Sequence, residues 1–462
     1  MRYSVYKNTN LNFVSQIPAH WQIKRNRFIL SESKNISETG EGALLCLSQY
    51  TGITLKKDTD KQGMFRAESL VGYRIVEPDN IVMNIMLAWN GSTAHSRYKG
   101  LISPAYAVFT INDRKINPRF LHYFFRLPET CGYFKAYSTG IINSRLRLYP
   151  QNFLQLYSFI PPREEQDQIV RFLDWQTSQI NKLIHGYQKQ IKLLEEQLYS
   201  IISITVTKGI NKKHFKNSNL DWMGNIPSDW KLIRIKNNYT LQNGISESGD
   251  FFSEGFPFVN YSDVYKNRIL PDKVTGVANS TQQQRNLYSV KEGDIFFTRT
   301  SETIDEVGFA SVCLKDMNDT IYSGFLIRAR PKNDMILTKF ASYYLRGQHV
   351  RNFFTKEMNL VTRASLGQNL LKSLYIAVPP KEEQVQIIDY LEKTEEKNKK
   401  TIQDIQHQID LLREYRTRLI SDVVTGQIDV RGINIPDYEP EEDVSDEAEA
   451  DEELPDEEES DE

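Results

Sequence analysis

The chain is written twice, and that repeat limits its fold more than any local motif does. "KNTNLNFVSQIPAHW" (7–21) aligns without gaps to "KNSNLDWMGNIPSDW" (216–230) at an offset of 209. Lys7/Lys216, Asn8/Asn217, Asn10/Asn219, Leu11/Leu220, Ile17/Ile226, Pro18/Pro227 and Trp21/Trp230 are identical pairs. At the far end of each copy "IPPREEQDQI" aligns to "VPPKEEQVQI" at an offset of 218, which persists through "IKLLEEQLYSIISITVT" (191–207) and "IDLLREYRTRLISDVVT" (409–425). The interiors match only loosely: Phe120–Arg126, "FLHYFFR", beside Phe340–Arg346, "FASYYLR", and Ser144-Arg145 beside Thr362-Arg363. A repeat of this kind decides architecture. Matching frames with divergent interiors suit two modules that hold different things in the same way.

Each copy is expected to be a mixed α/β globular domain. "ALLCLSQY", "YRIVEPDNIVMNIML" and "AYAVFTI" in the first, and "PFVNYSDVY", "YSVKEGDIFFTR" and "GFLIRARPK" in the second, predict strands joined by turns. "NPRFLHYFFRLPETCGYFKAYS" and "TKFASYYLRGQHVRNFFTKEM" carry helical spacing. After each double proline a long helix is predicted. Proline in its first turn loses no hydrogen bond, and Glu164-Glu165 and Glu382-Glu383 sit where the helix dipole favours carboxylates.

The two helices carry heptad seams. The first runs through Leu173, Thr177, Ile180, Ile184, Tyr187, Ile191, Leu194, Leu198, Ile201 and Thr205. The second runs through Leu391, Glu395, Asn398, Ile402, Ile405, Ile409, Leu412, Arg416, Leu419 and Val423. A long polar helix with one apolar seam is poorly stable alone, so each is expected to pack on the other. Asn398 and Arg416 interrupt the second seam, to set register, to provide a docking site, or simply as a loosely packed, solvated stretch. The expected organisation is a first domain over 1–160, a spacer helix over 161–207, a second domain over 208–378, a second helix over 379–427 and a C-terminal segment over 428–462.

The formal net charge of −3 hides a division. Residues 437–462 hold 17 Asp or Glu and no Lys or Arg, which leaves 43 acidic against 57 basic residues elsewhere, a formal +14. A body of that sign attracts polyanions, nucleic acid first. The tail has too few apolar residues to fold and is expected to be disordered. It reads either as a solubilising end or as a competitor of DNA for basic grooves.

Sites of bond chemistry are not evident. No GxxxxGK[ST] and no GxGxxG after a strand occurs. The double prolines are superficially like the Asn-Pro-Pro-aromatic motif of amino-methyltransferases, but Ile160 and Val378 precede them and charged residues follow. Seven histidines show neither HExxH nor clustering. Pro78-Asp79 with Asp113-Arg114-Lys115 is a nuclease-like arrangement that reads more simply as two turns. Cys46, Cys131 and Cys313 are widely spaced and give neither a disulfide framework nor a zinc site. Without an apolar run long enough for a membrane span or a signal segment, the cytoplasm is the expected compartment.

Two variable domains, each opened by "IPxxW" and closed by "PPxxEQ" and a long helix, resemble the specificity subunit of Type I restriction–modification enzymes. The resemblance covers roughly residues 5–430 and includes "SPAY" at Ser103–Tyr106 and "EGDIFFTRT" at Glu292–Thr300, with "PDNIVMNIMLAWNG" at the equivalent place in the first copy. It implies that each domain reads one half of a bipartite, asymmetric double-stranded DNA site. The antiparallel helices would set the spacing and dock two modification (methyltransferase) subunits. S-adenosylmethionine, ATP and Mg²⁺ belong to those subunits and to ATP-dependent restriction subunits. The chain itself would carry no cofactor and no catalysis. The acidic tail has no counterpart in the resemblance.

Two half-sites about a helical turn apart suit such a pair of domains. Phosphate contacts supply affinity and base-edge contacts supply specificity. Candidate DNA-binding residues, in or beside predicted loops, are Lys56, Lys57, Arg66, Arg97, Lys99 and Arg145 in the first domain. In the second they are Lys266, Arg268, Arg285, Arg299, Thr300, Ser301 and Arg363, with Gln282-Gln283-Gln284 able to address adenine. The plain alternative for each is a solvated charge or a structural ion pair. Trp21 and Trp230 are expected to fill cores rather than stack on bases. Rival readings are a stand-alone DNA-binding scaffold with a helical stalk, told apart by gene neighbourhood, and a cryptic nuclease, told apart by cleavage with Mg²⁺ alone.

Overall fold

The computed structural model describes residues 2–49, 51–56, 69–142, 145–211, 213–247, 249–301, 307–357 and 364–440. Residues 441–462 of the acidic tail, with the disorder expected of them, lie outside the described residues. The chain divides into two compact units, Met1–Lys189 with Ile405–Glu462, and Gln190–Asp404. Each contains one globular domain and part of both long helices.

In the first unit the strand Gln22–Arg25, which follows Trp21, pairs antiparallel with Tyr157–Ile160, which runs into Pro161. In the second, Lys231–Arg234 pairs in the same way with Tyr375–Val378. First and last strands of each domain thus lie side by side, Gln22 opposite Ile160 and Lys231 opposite Val378. This brings the opening and closing motifs of each copy together.

The interior sheets also repeat. Leu30–Ser33, Tyr106–Ile111, Ile81–Asn84 and Thr93–His95 form one four-stranded sheet, in that spatial order. Tyr239–Asn243, Leu326–Pro331, Ile295–Thr298 and Ala310–Val312 form the other. "PDNIVMN" and "EGDIFFT" supply the same third strand. Each enters it through a left-handed residue, Asp79 (φ +66°) or Gly293 (φ +87°). The next side chain closes the turn: Glu77 N donates to Asn80 Oδ1 at 2.9 Å, and Lys291 N to Asp294 Oδ2 at 2.8 Å. Asp294 is fully buried, and Arg330 meets its two oxygens at 2.7 and 2.6 Å.

Both predicted helical segments are split. Pro118–Phe125 and Pro128–Ala136 are separated because Pro128 cannot continue a helix. Thr338–Tyr344 and Gln348–Glu357 are separated at Gly347. "PFVNYSDVY" is only half strand: Phe256–Val259 ends at Asn260, which caps the helix Tyr261–Lys266 through a capping box with Asp263. Alternating apolar residues suggested a strand, and the local cap decided against it.

The long helices are Arg163–Lys208 and Lys381–Val424, 46 and 44 residues, or about 69 and 66 Å. Gln166 N donates to Pro162 O and Gln384 N to Pro380 O, each at 3.0 Å. The second proline therefore caps the helix from just outside its first turn. The helices run antiparallel: in the second unit Asn398 Nδ2 donates to Leu194 O at 3.1 Å, and in the first Arg416 Nη1 donates to Asn181 Oδ1 at 2.7 Å. The two polar residues that interrupt the seam thus each bond to the facing helix. Leu173, Ile180, Ile184, Leu391, Ile405, Ile409, Leu419 and Val423 are buried, while Tyr187, Ile191, Leu194, Leu198, Ile402 and Leu412 are half-buried. Near a domain the seam gains a third packing surface. In the second unit Val206, Ile387 and Leu391 share one core with Trp230, Ile295, Phe297, Phe340 and Tyr344.

Candidate nucleic-acid interface and the frame that holds it

The repeated motifs form a clasp. Trp21 Nε1 donates to Glu165 Oε1 at 2.9 Å, and Trp230 Nε1 to Glu383 Oε2 at 3.1 Å. Both indoles are fully buried, roughly 5 kcal/mol of apolar transfer each, and a buried N–H requires an acceptor. Lys7 and Lys216 donate Nζ to the carbonyl of the tryptophan in their own copy. The glutamines close the same junction. Gln166 Oε1 accepts from Asn117 N at 2.8 Å, and its Nε2 donates to Lys115 O and Pro161 O at 3.0 and 2.8 Å. Gln384 accepts from Leu337 N at 2.8 Å and donates to Met335 O and Pro379 O at 2.9 and 3.0 Å. "IPxxW" and "PPxxEQ" are two halves of one joint between domain and helix.

A second link fixes each domain on its helices. Tyr123 OH donates to Asp174 Oδ1 at 2.7 Å, and Arg119 Nε lies 2.7 and 2.8 Å from that carboxylate. In the other unit Tyr343 OH donates to Glu395 Oε2 at 2.6 Å, and Arg268 Nη2 lies 2.9 Å from the same oxygen. Burial, then the adjacent carboxylate, pushes both phenols up. The arginine comes from the helix Pro118–Phe125 in one copy and from the turn after Tyr261–Lys266 in the other, so no alignment could have paired them. Arg126 and Arg346, which end the loosely matched "FLHYFFR" and "FASYYLR", hold backbone carbonyls. Arg126 reaches Ser48, Gly91 and Gln49, and Arg346 reaches Ala310, Val264, Tyr265 and Asn267. Burial depresses the Arg346 guanidinium to about 10.

The candidate DNA-binding residues fall into distinct settings. Lys56, Arg97 and Arg145 are exposed. Lys99, also exposed, lies 2.8 Å from Glu77. Lys57, Arg66 and Arg363 lie outside the described residues. Lys266 ends a helix on the surface, whereas Arg268 is held by Glu395 and Ser342 with its guanidinium 3.7 Å from the Tyr343 ring centroid. Gln282 and Gln283 are exposed in the first turn of Gln282–Leu287, while Gln284 is used in the capping box with Thr281. Arg285 lies 3.1 Å from Asp319 and 3.6 Å from the Phe256 ring centroid. Arg299 is half-buried beside Gly324 O, and Thr300 and Ser301 pair with Ser365 and Ala364.

A cavity of about 510 Å³ in the first unit was not anticipated. Arg97, Arg119, Arg126 and Arg416 line it with Asp174 and with Tyr438 and Pro440 of the C-terminal segment. Its residues come from stretches hundreds of positions apart; the sequence marked Arg97 as a loop cation and Arg416 as an interruption of the helix seam, and it gave no sign that the two share a cavity. The nuclease-like arrangement is two turns, Asp79 lying 3.1 Å from His95 and Asp113 3.3 Å from Lys24. Among the described residues no group of three or more His, Cys, Asp or Glu could hold a metal ion, and no helix is long and apolar enough to cross a membrane.

Residues 227–410 match the family model described as the Type I restriction modification DNA specificity domain. The chain is 24% identical over 360 residues to the Type I restriction enzyme MjaVIII specificity subunit of Methanocaldococcus jannaschii, covering 76% of this chain and 80% of that one. It is 21% identical over 327 residues to the EcoBI specificity subunit of Escherichia coli, covering 69% and 67%. A chain solved for complex assembly and conformational transition of the type I R-M system has a TM-score of 0.63 at 14% identity, covering 89% of this chain and 99% of that one. At that identity the likeness carries the fold.

Proposed function

We infer that the chain belongs to the family of Type I restriction–modification specificity subunits, and from that premise its parts divide the work as follows. It is the DNA sequence-recognition subunit of such a complex and contributes no bond chemistry of its own. The observation that carries the finer reading is the doubled clasp: two domains seated alike on the helices, with unlike interiors. Each domain, over 1–160 and 208–378, reads one half of a bipartite site. The helices within 161–207 and 379–427 set the spacing and dock two methyltransferase subunits. ATP-dependent restriction subunits complete the assembly, and S-adenosylmethionine, ATP and Mg²⁺ are bound by the partners.

Lys56, Arg97, Lys99 and Arg145 are assigned to the first half-site, and Lys266, Gln282, Gln283, Arg285 and Arg299–Ser301 to the second. Exposed lysines and arginines suit phosphate, and the two surface glutamines suit an adenine edge. The assignment of Lys57, Arg66 and Arg363 follows from their loop positions in the sequence. The test is methylome sequencing of the host with and without this gene. Loss of one bipartite N6-methyladenine motif is expected, and an unchanged methylome would overturn the reading. Replacing residues 17–159 by another family member's domain should change one half of that motif only.

A further inference from the structure

The segment after the second helix is strapped along the first. Gly426, at φ +74°, turns the chain where a Cβ would collide with the Pro18 ring. Val430 is fully buried, and Gln168 Nε2 donates to Val430 O and Ile433 O at 3.1 and 2.8 Å. Further along the helix, Ser178 Oγ and Lys182 Nζ reach Glu439 O at 3.4 and 3.0 Å. The strap thus runs parallel to the first helix and delivers Tyr438 and Pro440 into the lining of the arginine-rich cavity.

We propose that this cavity is a carboxylate-binding site whose occupant is the chain's own acidic segment from Glu441 onward, in competition with DNA phosphate. The competition, though not the site, rests on the DNA-recognition reading above. Glu441, Glu442 and Asp443 follow Pro440 directly, and 15 of residues 441–462 are Asp or Glu. Three residues span about 10 Å, the scale of a cavity of about 510 Å³. Four arginines against one carboxylate give the lining a surplus of positive charge, and guanidinium takes carboxylate and phosphate by the same bidentate geometry. Tethering at Glu439 makes the encounter intramolecular, so a weak carboxylate contact at an effective concentration on the order of millimolar fills the site.

The test compares the full chain with one ending at Pro440, using a fluorescent peptide of residues 441–462 and anisotropy at low salt. The shortened chain should bind the peptide saturably, at least tenfold more tightly than the full chain does. Arg97→Ala and Arg97→Glu, at an exposed position, should weaken it at least threefold. Equal binding to both chains, or none to the shortened one, would overturn the site. In parallel, non-specific duplex DNA should bind the shortened chain at least threefold more tightly than the full chain, and added peptide should reverse the gain. Peptide binding with unchanged DNA affinity overturns the competition. If neither chain binds DNA, the DNA reading fails and the peptide result still decides the site.

Discussion

Trp21 and Glu165 stand 144 residues apart and are joined by a 2.9 Å hydrogen bond from indole to carboxylate; Trp230 and Glu383, 153 apart, are joined likewise at 3.1 Å. Pairing of the first and last strands of each domain makes that contact, and it seats the domain at the start of its helix. Tyr3 also donates to Glu165, and His20 Nε2 lies 2.7 Å away. Glu165→Ala should therefore destabilise the first unit by about 2–4 kcal/mol, since it strands several buried donors. Glu165→Gln should recover part of that loss, as read from chemical denaturation of the two variants.

The glutamine of "EEQ" is buried and makes three hydrogen bonds in each copy. Gln166→Ala and Gln384→Ala should each lower stability by about 2–3 kcal/mol. Because the bonded partners flank the joint, hydrogen exchange should rise at Lys115–Asn117 in one variant and at Met335–Leu337 in the other. Uniform exchange across both units would contradict the clasp.

His349 is buried, neither ring nitrogen has a hydrogen-bond partner among the described residues, and its ring centroid lies 4.3 Å from that of Tyr344. Burial, then the Lys208 charge, holds its pKa down to about 3 from 6.5. The unfolded chain thus binds the proton more readily than the folded one. Stability supplied by neutral His349 is complete above pH 6.5 and falls as pH drops toward 3, at up to roughly 1.4 kcal/mol per pH unit. His349→Phe should flatten that slope in pH-dependent denaturation of the second unit.

Arg416 and Asn181 bond across the helix pair at 2.7 Å. A double-mutant cycle with Arg416→Ala and Asn181→Ala should return a coupling of about 1–2 kcal/mol. Additive losses would mean that the polar interruption of the seam does not bind the helices together.

On the DNA-recognition reading, Arg97→Ala should weaken binding to all duplexes alike and reduce the salt slope by about one. Gln283→Ala should instead relax one base in one half-site, visible as a degenerate position in the methylated motif. A change in both halves would detach Gln283 from the second domain's reading surface.

The legible part of this chain was the part it repeats. Tryptophan, double proline and "EEQ" recur because one joint is built twice, and heptad spacing marked two helices that neither copy could stabilise alone. Local rules failed where a nearer constraint competed, as at Asn260, whose cap turns half a predicted strand into a helix. They were silent at Arg268, which lies in a loop as its sequence suggests but whose contacts with Glu395 and Tyr343 no local rule contains.

By itself the sequence determined the duplication, the helix pair and the charge division between body and tail, since each is a property of order and composition along one dimension. Only the tertiary structure decided that Trp21 meets Glu165, that Arg119 and Arg268 do one task from unrelated positions, and that four arginines share a cavity with Tyr438. Those relationships depend on which surfaces strand pairing and helix packing bring within about 3 Å. No spacing in the chain encodes that separation when the partners are more than a hundred residues apart.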